Sequence, residues 1–280
     1  MAESREIEAF DLVIEGSRSS RRYWSDLWKY RELFLFLAWR DILVRYKQTV
    51  IGLAWSLVRP LLTMFIFTFI FGRLAKLPSG GVPYPILVYS AMLPWLFFST
   101  SFNDASNSLI NNSNMLTKVY FPRMIVPVSS IIVNLIDFMI SFVLFIGLMI
   151  WYHYTPPLTI LALPVFFLWV MLLSIGTGLY ISAVNVKYRD FKYIVPFVVQ
   201  FGLYVSPVGF DSSIVPGKWR LLYSLNPIVG VIDGFRWSIM GDAKPLYIPG
   251  LIASLATTLL FLALGIYVFR KMEKTFADTV

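Results

Sequence analysis

Residues able to do covalent or acid–base chemistry are few and scattered in this sequence. It has no cysteine, and His153 is its single histidine. Thiolate nucleophiles, disulfides and histidine metal clusters are thereby excluded. No G-x-x-x-x-G-K-[ST] motif can hold nucleotide phosphates, and no G-x-S-x-G motif marks a serine nucleophile. The sixteen acidic residues include no closely spaced pair for general acid and base work. We therefore expect no catalytic site, no metal and no cofactor bound by this chain.

One acid, Asp137, lies near the centre of a long apolar segment, where a charge is costly. Two interpretations remain open. Asp137 is either neutral or hydrogen-bonded at a helix interface, or it faces a conduit or couples two elements. Ion-coupled transporters usually carry several buried ionisable groups. A single one indicates that the energy for any transport comes from outside this chain.

A polar and aromatic pattern follows the charged hexapeptide Lys187–Lys192. About 18 uncharged residues come next, but Pro196, Gly202 and Pro207 interrupt them, which suits a helix facing protein or a wet cavity better than lipid. Spacings of three and four residues place one set of side chains on a single helical face. The set is Tyr193, Phe197, Gln200, Phe201, Tyr204 and Val208. Lining of a conduit and plain helix packing both fit this pattern.

The elements that position these residues are predicted to be membrane helices. Of 280 residues, 58% are hydrophobic and 14% are charged, where a soluble domain averages about 25% charged. The sequence predicts an all-α polytopic membrane protein with six transmembrane helices. Their approximate ranges are 51–71, 84–102, 124–151, 159–186, 193–210 and 246–269. In the fourth, Gly176 and Gly178 offer a close approach to a neighbouring helix.

Positive charge indicates the orientation. Residues 1–22 form a polar tail without the apolar core of a signal peptide, and 40–280 form the transmembrane domain. Of the 24 Lys and Arg residues, 17 fall in segments assigned to the inside, six fall outside, and Arg59 lies within a span. This distribution predicts that both termini are cytoplasmic. It also explains the net charge of +8 without nucleic acid as a partner.

Two helices are predicted outside the spans on the cytoplasmic side. Residues 23–39 form either an amphipathic helix in the membrane interface or a juxtamembrane helix packed on the protein. Residues 103–123 carry five asparagines and cannot enter lipid. Asn103 or Asp104 could cap a helix there and Pro122 would stop it. That segment is either a surface for a cytoplasmic partner or only a loop.

Residues 211–244 break the spanning pattern and contain two short candidate helices. The second has Asn226 as its cap, a proline at its first position and Gly241 just past its end. Its apolar run is short and suits a re-entrant or interfacial helix. Within it, Asp233 and Arg236 are spaced to face one another.

Five sequence stretches carry a resemblance to known proteins. They are R-D-I-L-V-R-Y-K-Q-T-V-I-G-L-A-W-S-L-V-R-P at 40–60, L-T-K-V-Y-F-P-R at 116–123, N-V-K-Y-R-D-F-K at 185–192, S-P-V-G-F at 206–210 and L-N-P-I-V-G-V-I-D-G-F-R at 225–236. In these stretches the chain is similar to the transmembrane subunit of type-2 ATP-binding-cassette exporters that move polysaccharides such as O-antigen, capsule and teichoic acid. Only the extension before about residue 23 lies outside the resemblance.

The resemblance implies partners and site residues. It implies a homodimer in a bacterial inner membrane with two copies of a separate cytoplasmic ATPase, which would hold MgATP. Residues implied to contact that ATPase are Trp24, Trp28, Asp104, Asn107, Asn111 and Leu116. Residues implied in an outer gate are Trp219, Asn226, Asp233 and Arg236. Residues implied to line the channel are Trp55, Tyr193, Phe197, Phe201 and Tyr204.

The implied function is export of a lipid-linked polysaccharide through an aromatic-lined channel, with no enzyme activity in this chain. Each sugar hydroxyl is costly to strip of water without a partner, so a polymer needs a protein-lined path. Aromatic rings offer apolar faces and polar tips along it. Two alternatives remain: an exporter of a lipid, drug or haem in the same superfamily, or a membrane-embedded glycosyltransferase or acyltransferase.

Overall fold

A computed structural model describes residues 20–47, 50–188 and 190–276, and within these ranges it leaves out the side chains of 20–22, 50–56 and 275. Every regular element in the described ranges is helical, and none is a strand. Five helices are long and apolar enough to cross a membrane. The chain is therefore an all-α polytopic membrane protein, as the composition predicts. The predicted polar tail lies almost wholly outside the described residues.

Two helices stand where one was predicted at 23–39. Helix α1 spans Ser20–Lys29 and helix α2 spans Arg31–Tyr46, with a change of direction at Tyr30. Helix α2 therefore runs past the predicted end, and its last turn carries Arg45. Leu37 is buried against the protein, whereas most other apolar residues of α2 are exposed. The helix packs on the protein through one narrow stripe.

The five long candidate spans follow the predicted order. Helix α3 (Val50–Phe67) continues as a π-helical segment, Thr68–Leu74. The others are α4 (Tyr84–Asn111), α6 (Ile125–Trp151), α7 (Leu163–Lys187), which a 3₁₀ turn at Leu158–Ala162 precedes, and α11 (Ile248–Met272).

The remaining predicted span, 193–210, is shorter than expected. Helix α8 covers Phe191–Val205, and its 15 residues extend about 22 Å, below the roughly 30 Å of a hydrocarbon core. It stops because Pro207 disfavours the α conformation in the residue before it, and Ser206 is indeed extended, with φ −85° and ψ 153°. Val208 is buried beyond the helix end and does not share its exposed face.

The predicted boundary at residue 103 is wrong. Helix α4 runs unbroken through Asn103 and Asp104 to Asn111, so neither residue caps a helix. Polar side chains there bond back to the helix itself: Ser106 and Asn107 donate to the Asn103 carbonyl at 2.7 and 3.0 Å. Their hydrogen bonds keep the helix intact where the polarity changes. The short helix α5, Ser113–Lys118, follows and ends well before Pro122.

The packed centre of the bundle is α4, which α6, α7 and a later helix, α10 (Pro227–Met240), surround. Helices α7 and α11 meet backbone to backbone: a Cβ added at Gly265 would lie 2.0 Å from the Gly176 carbonyl oxygen. A Cβ at Gly178 would lie 2.9 Å from that of Ala105 on α4. The close approach predicted for Gly176 and Gly178 is confirmed.

Helices α9 (Gly217–Tyr223) and α10 (Pro227–Met240) occupy the segment between α8 and α11. Helix α10 begins and ends as predicted: the Asn226 side chain accepts from the Ile228 amide, and Gly241 has φ +57°. Helices α1, α2 and α5 share a buried cluster at one end of the bundle, here called the α2 end. Helix α10 packs at the opposite end, the α10 end.

Candidate functional site

Arg45 on α2 connects three helices at the α2 end. Its guanidinium forms ion pairs with Asp104 of α4 at 2.6 Å and with Asp137 of α6 at 2.8 Å. It also donates to the Asn134 side chain at 2.7 Å. Tyr46 donates to the other oxygen of Asp137 at 2.5 Å. Asp137 is therefore hydrogen-bonded at a helix interface, as in the first of its two predicted environments, and it also joins α2 to α6 and lines a cavity, as in the second.

The surroundings keep the two donors of this network protonated. Burial acts to lower the pKa of Arg45, but the Asp104 and Asp137 carboxylates outweigh it and raise that pKa above its ordinary value. Burial and the hydrogen bond to Asp137 raise the pKa of the Tyr46 hydroxyl. Arg45 therefore stays charged and Tyr46 keeps its proton at every physiological pH.

A chain of cavities begins at this network. The first, of about 260 Å³, lies among α2, α3, α4 and α6 and has both Arg45 and Arg59 in its wall. The second, here called the crevice, has about 570 Å³ and lies between α8 on one side and α3 and α4 on the other. Trp95 of α4 and Gln200 of α8 line the crevice. Gln200 therefore contributes to a cavity that the aromatic residues of α8 do not line.

A third cavity, here called the amide groove, has about 690 Å³ and lies at the C-terminal end of α4, at the α2 end. Side chains of α2, α4, α6 and α8 line it. It shares four lining residues with the crevice: Arg45, Asn103, Asp104 and Pro196. The two cavities are therefore continuous along the side of α4.

Four predicted channel residues lie together on the exposed face of α8. Tyr193, Phe197, Phe201 and Tyr204 are 78%, 67%, 59% and 62% exposed. The Phe197 and Phe201 rings are stacked, with their centroids 6.1 Å apart. None of the four packs into the core of this chain, so helix packing within one copy does not account for them. The side chain of Trp55, on α3, lies outside the described residues.

The residues predicted to contact an ATPase are divided by the structure. Trp24 and Trp28 on α1 are exposed, at 48% and 71%. Asn107 and Asn111 line the amide groove. Asp104 is paired with Arg45, and Leu116 is buried at 3% exposure beneath the α2-end helices. Their contact with a partner stays a prediction.

Arg236 of α10 is a fully buried arginine at the other end of the bundle, 1% exposed. Its guanidinium donates to the Phe210 carbonyl at 2.7 Å, to the Val208 carbonyl at 3.1 Å and to the Leu87 carbonyl at 3.4 Å. It thereby attaches the segment after α8 to the first turns of α4. Asp233 and Arg236, expected to face one another, lie close enough to interact electrostatically but are not hydrogen-bonded to each other. Arg236 bonds to these carbonyls, while Asp233 accepts from the Ser212 hydroxyl at 2.7 Å.

A second ion pair closes the same region. Lys244 and Asp211 are 2.7 Å apart, and both side chains are largely buried. Burial acts to raise the pKa of Asp211, but hydrogen bonds from Lys244 and Ser213 outweigh it and lower that pKa to about 2. Trp219, on the neighbouring helix α9, is 54% exposed and does not belong to this polar cluster. The gate role of these residues stays a prediction.

Comparison with known families identifies the chain. The model of the ABC-2 type transporter membrane domain matches residues 32–240, about three quarters of the sequence. The chain belongs to the ABC-2 type transporter family. As a member, it is a membrane permease of the ATP-binding-cassette class.

Curated relatives of this ABC-2 transporter match it over nearly their whole length. An O-antigen export system permease protein, RfbA, of Myxococcus xanthus is 27% identical over 91% of this chain and 98% of its own. An RfbA of Klebsiella pneumoniae is 26% identical over 88% of this chain and 94% of its own. The polysialic acid transport protein KpsM of Escherichia coli is 23% identical over 86% of this chain and 92% of its own.

Sequence reasoning about this ABC-2 transporter did not find the Arg45 network or the Arg236 clamp. Arg45 is 59 residues from Asp104 and 92 from Asp137 in the sequence. The one available signal was the isolated acid in an apolar span, because a charge at that depth requires a partner. Nothing in the sequence pointed from Arg236 to backbone carbonyls far from it.

Proposed function

We propose that this chain is the permease subunit of an ATP-driven exporter that moves a lipid-linked polysaccharide across the bacterial inner membrane. Both termini would be cytoplasmic, and two copies would form the channel. MgATP would be bound and hydrolysed by two copies of a separate ATPase. The observation that carries the proposal is full-length similarity to relatives named as polysaccharide export proteins.

The exposed face of α8 supports a role for a second copy. Its four aromatic residues are left uncovered by this chain. In a channel made by two copies, these rings would face the pore or the partner helix. Ring faces attract the C–H faces of sugars, and the tyrosine hydroxyls bond to sugar hydroxyls. Many weak contacts of this kind hold a polymer and still let it slide.

The crevice supports a route lined by protein rather than lipid. Its wall includes Arg59, Ser99, Thr100 and Gln200, which offer hydrogen bonds at the depth of the spans. A hydroxyl-rich polymer requires such partners, because each unpaired hydroxyl in hydrocarbon costs several kcal/mol. A path for a lipid or a drug would not require them.

Deletion of the gene tests the proposal. We expect the deletion strain to retain lipid-linked polymer inside the cell and to lose surface polymer, and a plasmid copy to restore it. Surface polymer is measured by staining of intact cells, and retained polymer by extraction of membranes. Normal surface polymer in the deletion strain would contradict the proposal.

The aromatic face is tested by Phe201→Leu, with Phe261→Leu as the matched control. Both phenylalanines are exposed, Phe201 on α8 and Phe261 on α11. We expect Phe201→Leu to reduce export about two- to tenfold at unchanged protein level, because an aromatic contact is worth roughly 0.5–1.5 kcal/mol. Phe261→Leu should export normally. Equal export by the two variants would exclude the α8 face from the path.

A further inference from the structure

We propose that the amide groove is a binding site for the saccharide chain, at the point where the chain enters the transporter. This inference rests on the proposed function and adds a site to it. Asn103, Asn107 and Asn111 recur every four residues, which places them on one face of α4. They extend about 12 Å along the groove wall.

The side chains of this wall have hydrogen-bonding capacity to spare. The side-chain amides of Asn103 and Asn111 form no hydrogen bond with other residues in the described ranges. The Asn107 nitrogen donates to the Asn103 carbonyl at 3.0 Å, which leaves the Asn107 oxygen as an acceptor facing the groove. An amide both donates and accepts, as a sugar hydroxyl does. A row of amides therefore matches a row of hydroxyls.

The charges of the groove are mostly neutralised by one another. Arg40 pairs with Asp41 at 2.7 Å, and Arg45 pairs with Asp104 at 2.6 Å. Lys192, on the α8 wall, has no ion-pair partner among the described residues. A polar site with little net charge suits a neutral or weakly acidic saccharide better than a phosphate or a nucleic acid.

The shape and position of the groove distinguish this ligand from a protein partner. The amides line a concave wall that continues into the crevice, which leads along α4 into the spans. Val44 is an exposed apolar residue in the groove wall, while the exposed apolar side chains of Trp28, Val119 and Tyr120, suited to a docked protein, lie outside it. The groove therefore stands where a polymer must pass, and the partner surface lies beside it.

Single cysteines test the site, since the chain has none of its own. In the purified complex with its ATPase, Asn107→Cys is labelled with a membrane-impermeant maleimide, with and without polysaccharide cleaved from the producing cells. Asn114→Cys, exposed on α5 outside the groove, is the matched control. At about four times the polymer Kd measured for each variant, labelling of Asn107→Cys should slow about fivefold and labelling of Asn114→Cys should not change.

Two outcomes would overturn this inference. Protection of Asn107→Cys by the ATPase alone, without polymer, would make the groove a docking face; labelling unaffected by polymer would exclude the site. A second variant, Asn107→Leu, should weaken polymer binding about fivefold, the effect of one lost hydrogen bond, with Asn114→Leu unchanged. If the deletion strain loses export while all these variants behave normally, the site fails and the proposed function stands.

Discussion

Two arginines, one at each end of the bundle, hold their surroundings by different chemistry. Arg45 is 35% exposed and bonds to two carboxylates on two other helices. Arg236 is 1% exposed and bonds to three backbone carbonyls. The first is an ion-pair network beside open cavities, and the second is a buried clamp whose hydrogen bonds go to backbone carbonyls.

The difference implies that the contacts of Arg45 can open and re-form, whereas those of Arg236 stay closed. Water reaches the Arg45 network, so its separated groups can be solvated and its ion pairs add little stability. The carbonyls around Arg236 have no such replacement, because an unsatisfied buried acceptor keeps its full desolvation cost. We therefore expect motion at the α2 end and rigidity around Arg236.

The largest effect should come from Arg236→Met. This change removes the donors from three carbonyls in a dry environment, and we expect a loss of about 3 kcal/mol or more in the free energy of unfolding. Thermal unfolding in detergent measures it, with Arg73→Met at an exposed arginine as the control. A melting temperature equal to that of the unmodified protein would break the comparison.

A smaller effect is expected from Asp211→Asn, which removes the ion pair with Lys244. The lowered pKa of Asp211, about 2 against an ordinary 3.8, corresponds to about 2 kcal/mol of stability. Because folding lowers this pKa, the stabilisation is complete above pH about 4 and is lost as the pH falls through about 2.

Melting temperatures at pH 5 and pH 8 check this sign. The difference between Asp211→Asn and the unmodified protein should be the same at both values. Asp242→Asn, at an exposed acid two residues from Lys244, should leave the melting temperature unchanged at both pH values. A difference that shrinks between pH 8 and pH 5 would show that Asp211 titrates in that range.

The smallest effect on stability should come from the Arg45 network. Arg45→Gln, Asp137→Asn and the double variant form a thermodynamic cycle, and we expect a coupling energy of about 1 kcal/mol. Export should fall more than stability does, because the network joins α2 to the walls of the cavities. A coupling energy as large as the Arg236 loss would make this end as rigid as the other.

The fold was predictable where a local signal dominates. Apolar length gives the five long spans, and a cap, a proline and a glycine give the limits of α10. The glycines of α7 gave a helix contact correctly. Spacing also placed the four aromatic residues of α8 on one face, since the period is readable in a single segment, but their exposure came only from the structure.

The errors arose where polarity was taken to mark a helix end. At Asn103 the polar side chains bond back to carbonyls of the same helix, so the residue types change while α4 continues. The Arg45 and Arg236 contacts join segments that are far apart in the sequence, and a single sequence does not indicate which distant segments meet in the fold. Gln200 was assigned to the aromatic face because a spacing of three or four residues does not distinguish a position on that face from one on the neighbouring face of the helix.

The contact of α7 with α11 has a consequence for how such a protein can change shape. A carbonyl resting where another residue would carry its first side-chain atom leaves no gap into which either helix can slide. We therefore expect α7 and α11 to move together as one rigid body. In a channel built as proposed, we therefore expect movement at α2, α3 and the short α8 and not between α7 and α11.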